Sequence, residues 1–415
     1  MGLIDKKRFR STFEAFSEIG ATDAGGLHRV ALSEPDVRVR DRFVDALEDL
    51  DLAVRVDEVG NVFGRREGTD PDAAPVLIGS HLDSQPRGGR FDGQLGVLSA
   101  LEAVRVLADH DVETRRPVEV VNWTNEEGTR FKPALMGSGA YTGAHDVETV
   151  LSTADDDGVT LAEALEAAGY RGDAPVGAER DPHAYLELHV EQGPVLEDRG
   201  LEIGIVEGIL GMSWLDVTIS GDSDHAGPSP TYTRADALVA AADVVTAVRR
   251  LAGRLDDDVV TTVGEFEVAP GSINVIPDTA TFTVDLRSYD EETVQAGVEA
   301  VEREIEAACD REGTSYTMEE IWRIPHTEFS PEVCDVLERS ADAAGCSYTR
   351  MIGGAGHDAS YLADVTDAGL LFVPSVDGKT HNEREFTEWT DVLAGAELFA
   401  EATIRLADGE HPGNS

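Results

Sequence analysis

Lysine is nearly absent from this chain: only 4 of its 415 residues are lysines, at positions 6, 7, 132 and 379. Basic residues number 34 against 81 acidic ones, so the formal net charge is −47. Phosphate binding needs clustered Lys and Arg, so this deficit argues against a nucleic-acid partner. Charge repulsion on this scale destabilises a compact state in dilute salt, whereas at molar salt the Debye length is about 3 Å. We therefore expect a halophilic protein; an ordinary acidic enzyme is the alternative.

Cysteines and long apolar runs are also scarce. The three cysteines, at 309, 334 and 346, are an odd number without a metal-ligand spacing. They argue against a disulfide scaffold and suit a reducing compartment. The first 16 residues lack the apolar core of a signal peptide. No apolar run reaches the roughly 18 residues of a membrane span. These features predict a soluble, cytoplasmic protein with no membrane partner.

The first half of the sequence alternates helical and strand-like patterns. Apolar periodicity predicts helices over 5–19, 39–50 and 96–107, and short buried strands over 54–56, 62–64, 76–79 and 118–122. Alternation of this kind predicts an α/β domain with a sheet flanked by helices.

From about residue 212 the pattern changes. It predicts, in order, a strand at 214–220, a helix at 234–251, strands at 259–266 and 280–286, a helix at 291–311 and a strand at 315–321. This order is a complete α+β unit. The last part returns to the first style, with a strand at 369–374 and a helix at 392–406. We therefore predict a catalytic domain formed by 1–211 and 325–415, interrupted by an inserted domain at 212–324.

Three motifs place titratable side chains directly after predicted strands or glycine-rich turns. They are Gly79–Ser84 (GSHLDS) with His81, Gly88–Gly93 (GGRFDG) with Asp92, and Asn125–Phe131 (NEEGTRF) with Glu126 and Glu127. In open α/β sheets ligands bind at the carboxyl ends of the strands. Each motif alone has a plainer interpretation: a structural histidine, a helix N-cap aspartate, and a chance pair of acids in an acidic chain.

Two further histidines complete the set. His189 lies in LELHVEQG, where strand alternation places it on one face with Glu187 and Glu191, and His381 follows the strand that ends near Pro374. Either histidine alone is more often structural or exposed. Together, three imidazoles and the carboxylates of Asp92 and Glu127 suit Zn²⁺, Mn²⁺, Co²⁺ or Ni²⁺. They provide enough ligands for two ions that share one carboxylate.

Two neighbours of these residues suggest supporting roles. Asp83, two residues after His81, can reach the second imidazole nitrogen and fix its tautomer. Glu126, next to Glu127, can accept a proton from water while its neighbour binds metal.

In this order the motifs resemble those of the zinc-dependent amidohydrolases of the M20 metallopeptidase clan. The likeness is closest to the hydantoinase/carbamoylase branch, which includes N-carbamoyl-L-amino-acid hydrolases, allantoate amidohydrolases and β-ureidopropionases. It extends from VDEVGNVFG at 56–64 to His381. Further matching motifs are DHAG at 224–227, GSINVIP at 271–277, DLR at 285–287 and GAGHDA at 354–359. The sequence departs from the family after DHAG, where Pro228-Ser229-Pro230-Thr231 replaces the usual Thr-Thr-Pro-Met.

The resemblance implies a zinc-exopeptidase-like catalytic domain, a mixed sheet flanked by helices, with an inserted ferredoxin-like α+β domain that serves as dimerisation domain and lid. It also implies two divalent ions in each subunit, zinc in the first place, with Mn²⁺, Co²⁺ or Ni²⁺ as alternatives. In this family pattern Asp92 bridges the ions. The remaining ligands are His81 and His189 for one ion, and Glu127 and His381 for the other.

The same resemblance implies roles in catalysis and substrate binding. Glu126 is the general base and Asp83 orients His81. His225 reaches across a homodimer and polarises the scissile carbonyl. The residues implied to bind a small substrate through its carboxylate, or to line its pocket, are Asn274, Arg287, Gln192 and His357.

The expected reaction is cleavage of a C–N bond in an N-carbamoyl amino acid, giving the amino acid, CO₂ and NH₃. The alternatives within enzymes are an allantoate amidohydrolase and an N-acyl-amino-acid or dipeptide hydrolase. A different class is a non-catalytic dimer that binds metal or amino acids. Glu126 beside Glu127 argues against that class, because binding alone needs no base.

Overall fold

The computed structural model describes residues 2–177, 181–256 and 259–408. Its helices are α1 (Lys6–Ser17), α2 (Glu34–Glu48), α3 (Gln94–Asp109), α4 (Met136–Thr142), α5 (Val147–Ser152), α6 (Leu161–Ala168), α7 (Val195–Arg199), α8 (Ala237–Leu255), α9 (Glu291–Glu312), α10 (Pro331–Ala344), α11 (Asp358–Leu362) and α12 (Trp389–Leu406).

The strands follow the same chain order. They are β1 (Ala53–Val56), β2 (Val62–Arg66), β3 (Val76–His81), β4 (Val118–Trp123), β5 (Ala184–Val190), β6 (Ile203–Ile209), β7 (Gly211–Ser220), β8 (Val260–Ala269), β9 (Thr279–Ser288), β10 (Ser315–Ile324), β11 (Thr327–Glu328), β12 (Tyr348–Gly353) and β13 (Asp367–Val373).

The two N-terminal helices show how local sequence sets the element ends. In α1, Asp5 accepts the amides of Lys7 and Arg8 as N-cap, and Phe9, Phe13 and Phe16 form the buried face. Helix α2 begins at Glu34, five residues before the predicted start at 39. Pro35 lies in its first turn, where main-chain amides have no partner within the helix, so the missing amide proton of proline is tolerated. The helix can therefore begin directly after Ser33, its N-cap.

The chain forms two compact units: Met1–Glu207 with Glu328–Ser415, and Gly208–Thr327. We call the first the catalytic unit and the second the inserted unit. The sequence predicts the insertion at 212–324.

The catalytic unit is built on a mixed nine-stranded sheet. Its order is β1-β2-β4-β3-β5-β13-β6-β11, and β12 pairs with β6. The four central strands β4, β3, β5 and β13 run parallel, whereas β2 and β6 pair antiparallel on either side of them. Because parallel strands end at the same edge, whatever follows their carboxyl ends is brought together. The predicted sheet flanked by helices is confirmed.

Apolar packing on this sheet holds that edge in place. Strands β3, β4 and β5 are buried along their whole length. Helix α3 packs on all three of them, and α12 packs on α3, β3 and β5. The core between the layers includes Val76, Ile78, Val120, Leu186 and Leu188. Burying side chains of this kind contributes roughly 1.5–3 kcal/mol each, so the strand ends rest on a rigid base.

The inserted unit is a four-stranded antiparallel sheet with two helices. Its strand order is β10-β7-β9-β8. Alternate residues of β7 and β9, among them Leu215, Val217, Phe282 and Val284, are buried in one core with α8 and α9. The order strand–helix–strand–strand–helix–strand and this pairing confirm the predicted ferredoxin-like α+β unit. In the described residues no helix combines the length and apolar character that crossing a membrane requires.

Candidate metal centre and active site

Asp92 lies at the centre of the predicted cluster. Its Oδ1 is 3.2 Å from Nε2 of His189 and 3.5 Å from Nε2 of His81, and its Oδ2 is 3.6 Å from Nε2 of His381. A second carboxylate, that of Glu127, has its Oε2 3.6 Å from the same His381 nitrogen. The five predicted ligand residues are thus brought together around one carboxylate.

These residues form two groups with the spacing of an ion site. His81, Asp92 and His189 make one, and Asp92, Glu127 and His381 make the other; within each group the ligand atoms lie within 4.8 Å of one another. The first group is wholly buried, whereas the His381 side chain is 48% exposed. One group is therefore enclosed by protein and the other opens toward solvent.

Residues with positive φ follow three of the parallel strands, in the loops that lead to the site. Asn125 after β4, Gln192 after β5 and His381 after β13 have φ of 55°, 58° and 53°. A positive φ costs energy in a residue other than glycine, and residues with this conformation cluster at functional sites. Gly93, with φ of 62°, precedes α3, and a Cβ there would lie 2.3 Å from the His81 ring. Glycine therefore lets the turn that carries Asp92 approach His81.

Glu126 borders the buried group. Its Oε2 is 3.4 Å from Nε2 of His81, and the residue is 8% exposed. Burial, followed by the charge of Glu127 and other nearby carboxylates, raises the pKa of Glu126 well above its usual value. A carboxylate in these surroundings binds a proton more tightly than one in water, as a general base requires.

Asp83 contacts His81 through its main chain. Nδ1 of His81 lies 3.0 Å from the Asp83 carbonyl oxygen and 3.9 Å from its carboxylate. The carboxylate instead accepts the amides of Glu126 at 3.2 Å and Glu127 at 3.3 Å. The expected contact with the second imidazole nitrogen is thus made by the carbonyl, because the side chain turns toward the loop after β4.

The donor set fits divalent cations. His81 is 1% exposed, and its Nε2 makes no hydrogen bond to any described residue. Burial lowers the pKa of His81 to about 4, so its imidazole is neutral and can bind metal. Burial, together with the charge of Asp92, raises the pKa of Glu127 well above its usual value. Crowded carboxylates beside a neutral imidazole lose this mutual repulsion when a cation binds among them.

His189 differs from His81 because of its contact with Asp92. Burial opposes its ionisation, but the charge of Asp92 and the hydrogen bond to it raise the pKa of His189 to about 9. A cation that takes the place of this proton would be held by the same two side chains.

Two of the four predicted substrate-binding residues lie in this cluster. Nε2 of Gln192 is 3.1 Å from Oδ2 of Asp92. His357 is 2% exposed and its ring centroid is 4.5 Å from that of His189. Both residues therefore line the site.

The other predicted residues belong to the inserted unit. His225 and Asn274 are exposed and lie on adjoining loops, since Ala226 donates its amide to the Asn274 carbonyl and His225 forms a β-bridge with Val275. Nδ1 of His225 accepts the Gly227 amide at 3.0 Å. In the neutral imidazole the proton is therefore on Nε2, which can donate to an oxyanion.

Arg287 lies at the other end of the same sheet. It is near the end of β9, and its Nη2 is 2.9 Å from the carboxylate of Asp285. Asn274 precedes the start of β9 at Thr279. The eight residue steps from 279 to 287 span about 27 Å of strand. Arg287 therefore lies at the end of β9 remote from the strand start that follows Asn274.

Some polar residues of the site were missed by the sequence analysis. Gln85 donates its amide and its side chain to the two carboxylate oxygens of Glu127, at 2.9 and 2.7 Å. Glu385 is buried and accepts the amides of Phe91 and Asp92. Gln85 lies one residue beyond the GSHLDS motif, which was the available signal. Glu385 lies in a charged, polar stretch that reads as exposed.

Residues 77–405 match the family described as peptidase family M20/M25/M40. The chain belongs to this family. The resemblance drawn from the motifs is confirmed, as is the prediction of a hydrolase. Members of the M20 family that act as amidohydrolases are metal-dependent, in agreement with the ligand groups around Asp92.

This M20 chain is similar to enzymes of the predicted branch over nearly its full length. It is 38% identical to an N-carbamoyl-L-amino-acid amidohydrolase of Rhizobium meliloti over 405 residues, covering 98% of this chain and 97% of that protein. It is 33% identical to the allantoate amidohydrolase of Escherichia coli, covering 97% and 98%. The crystal structure of a hydantoinase/carbamoylase family amidase from Burkholderia multivorans superimposes with a TM-score of 0.94 at 42% identity, covering 97% and 98%.

Proposed function

We propose that this protein hydrolyses N-carbamoyl-L-amino acids to the free amino acid, CO₂ and NH₃ at a site that binds two divalent ions. The observation that carries the proposal is the position of Asp92, whose two oxygens each face a separate group of ligands. A bridging carboxylate of this kind is typical of two-metal hydrolytic centres. The identity to an N-carbamoyl-L-amino-acid amidohydrolase along the whole chain supports the substrate class.

The ligands divide between the ions as follows. His81 and His189 would hold one ion with Asp92, and Glu127 and His381 would hold the other with the same carboxylate. Mixed nitrogen and oxygen ligands favour Zn²⁺, with Mn²⁺, Co²⁺ and Ni²⁺ as alternatives. The chemistry that such ions supply when bound is polarisation of a carbonyl group and acidification of water.

Glu126 moves the proton in this reaction. Its carboxylate accepts a proton from the water that attacks the carbamoyl carbon, and the same proton then passes to the leaving nitrogen. Gln85 and Asp83 hold the loop after β4 on both sides, since Gln85 binds the Glu127 carboxylate and Asp83 binds the amides of Glu126 and Glu127. The base is therefore fixed relative to its neighbouring ligand.

His225 supplies the charge stabilisation. Because its Nδ1 accepts the Gly227 amide, its Nε2–H is available to donate to the oxyanion that forms on the carbonyl oxygen. We propose that His225 acts on the active site of a second subunit in a homodimer, and that Asn274 and Arg287 hold the carboxylate of the substrate.

Substrate preference tests this proposal. Purified full-length protein in molar KCl with added Zn²⁺ or Mn²⁺ should release ammonia from N-carbamoyl-L-amino acids with a higher kcat/KM than from allantoate. It should cleave dipeptides more slowly than either. A preference for allantoate would assign the chain to the alternative within the branch, and binding without turnover of any of these compounds would favour a non-catalytic protein.

A further inference from the structure

Glu385 joins the two loops that carry Asp92 and His381. Its Oε1 accepts the main-chain amides of Phe91 at 3.1 Å and Asp92 at 3.0 Å, and its Oε2 accepts the Thr380 hydroxyl at 3.2 Å. The residue is 4% exposed. A buried carboxylate that receives three hydrogen bonds in fixed directions restrains every group that donates them.

Thr380 also lies beside the Asp92 side chain. Oγ1 of Thr380 is 3.3 Å from Oδ2 of Asp92, and Nε2 of Gln192 reaches both atoms, at 3.0 and 3.1 Å. Glu385 thus holds the main chain of Asp92, while Thr380 and Gln192 surround the oxygen that faces His381. Both ligand groups depend on the direction of this one carboxylate.

Gly89 provides independent evidence that Glu385 belongs here. A Cβ at position 89 would lie 2.0 Å from the carboxyl carbon of Glu385 and 2.1–2.2 Å from its oxygens. Gly89 is not among the glycines with positive φ, so alanine fits the backbone, and the three atoms nearest to its Cβ all belong to the Glu385 carboxyl group. The glycine therefore makes room for Glu385.

Packing beside Glu385 holds the same turn from its other side. The ring of Phe91 is 5.9 Å from that of Phe386 and 5.1 Å from that of Phe13. Consecutive residues, Glu385 and Phe386, thus contact the main chain and the side chain of the segment that ends at Asp92.

We propose that Glu385 is a positioning residue that sets the direction of the Asp92 carboxylate and thereby the affinity for both ions. This inference rests on the proposed two-ion site. Partners behind metal ligands typically contribute 10–100-fold in metal affinity or activity. Glu385→Ala should therefore weaken binding of Zn²⁺ by about 10–100-fold. Glu385→Gln should lose less Zn²⁺ affinity, because its amide oxygen can still accept hydrogen bonds from the main-chain amides of Phe91 and Asp92.

The test is Zn²⁺ competition between the metal-free full-length protein and a chromophoric chelator in molar KCl. The absorption spectrum of the Co²⁺-loaded protein reports ligand geometry independently of activity. Glu385→Ala should change this spectrum. The matched control is Glu383→Ala on the same loop, whose carboxylate pairs with Arg87 at 2.9 Å. It should leave both affinity and spectrum unchanged.

Gly89→Ala separates this role from a general loss of stability. Alone it should weaken Zn²⁺ binding as Glu385→Ala does, because its methyl group displaces the carboxylate. In the Glu385→Ala background the clash is gone, so Gly89→Ala should change affinity by less than about twofold. The inference would be overturned if the losses of Zn²⁺ affinity in Gly89→Ala and Glu385→Ala were fully additive in the double variant. A Glu385→Ala variant with wild-type affinity and spectrum would also overturn it. In either case the proposed function stands. A wild-type chain that binds no ion would overturn both.

Discussion

Asp83 supports His81 with its main-chain carbonyl, 3.0 Å from Nδ1, and uses its carboxylate to hold the amides of Glu126 and Glu127. The side chain therefore acts on the loop after β4. A substitution at Asp83 therefore keeps the main-chain carbonyl contact with His81. It removes only the hydrogen bonds between the carboxylate and the loop after β4.

Asp83→Ala should accordingly weaken binding of the ion proposed for Glu127 and His381 more than binding of the ion proposed for His81 and His189. A loss of about 10–100-fold in affinity is the usual effect of removing such a partner. Comparison of Co²⁺ spectra with those of Glu127→Ala and His81→Ala identifies the ion affected. A spectrum that matches His81→Ala would mean that the Asp83 carboxylate acts through the imidazole after all.

Glu126→Gln should retain the metal and lower kcat by about 10²–10⁴, the usual contribution of a general base. The glutamine has the same shape but cannot accept the proton from water. Metal analysis and steady-state kinetics, with Glu127→Gln as the paired variant, check this. Loss of metal from Glu126→Gln but not from Glu127→Gln would reverse the roles of the two residues.

The charge of −47 predicts that the fold depends on salt. Repulsion between unscreened carboxylates acts on the compact state, and molar salt shortens its range to about 3 Å. Thermal unfolding followed by circular dichroism should show a midpoint that rises from dilute to molar KCl. A midpoint that does not change over this series would leave an ordinary acidic enzyme as the better description.

The proposal that His225 acts on the active site of the partner subunit gives a quantitative prediction for mixed dimers. His225→Ala and Glu126→Gln are each expected to be nearly inactive. After random exchange half of the dimers are mixed, and each mixed dimer has one site with both groups intact. Activity should therefore recover to about a quarter of the wild-type value, by the symmetry of a two-fold dimer. If exchange is demonstrated and activity does not return, His225 acts within its own chain or not at all.

Much of the site could be predicted because its residues follow sequence features with a physical meaning. His81, Glu127 and His189 lie in buried strands or within four residues of their ends, and the parallel pairing of those strands brings these ends together. Asp92 was marked by flanking glycines, of which Gly93 is required for the approach to His81. The inserted unit followed from strand alternation and helix periodicity.

Other features depend on tertiary contacts that the local sequence does not encode. Glu385 is one of 81 acids in the chain, and nothing in its neighbourhood distinguishes a buried carboxylate from an exposed one. The short helices α4, α5 and α6 were not predicted, because helices of this length are stabilised chiefly by packing. The spacing of His81 and Asp83 suggested a carboxylate contact, but the turn after β3 brings the carbonyl to the ring.

Reconstitution of the metal-free protein tests the central claim most directly, namely that the ligand groups sharing Asp92 form the centre that hydrolyses N-carbamoyl amino acids. Ammonia release from an N-carbamoyl-L-amino acid is measured in molar KCl while Zn²⁺ or Mn²⁺ is added back. The stripped protein should be inactive, two equivalents of ion should restore turnover, and Asp92→Ala should remain inactive at any ion concentration. Equal ammonia release by the stripped protein, or by Asp92→Ala, would contradict the account.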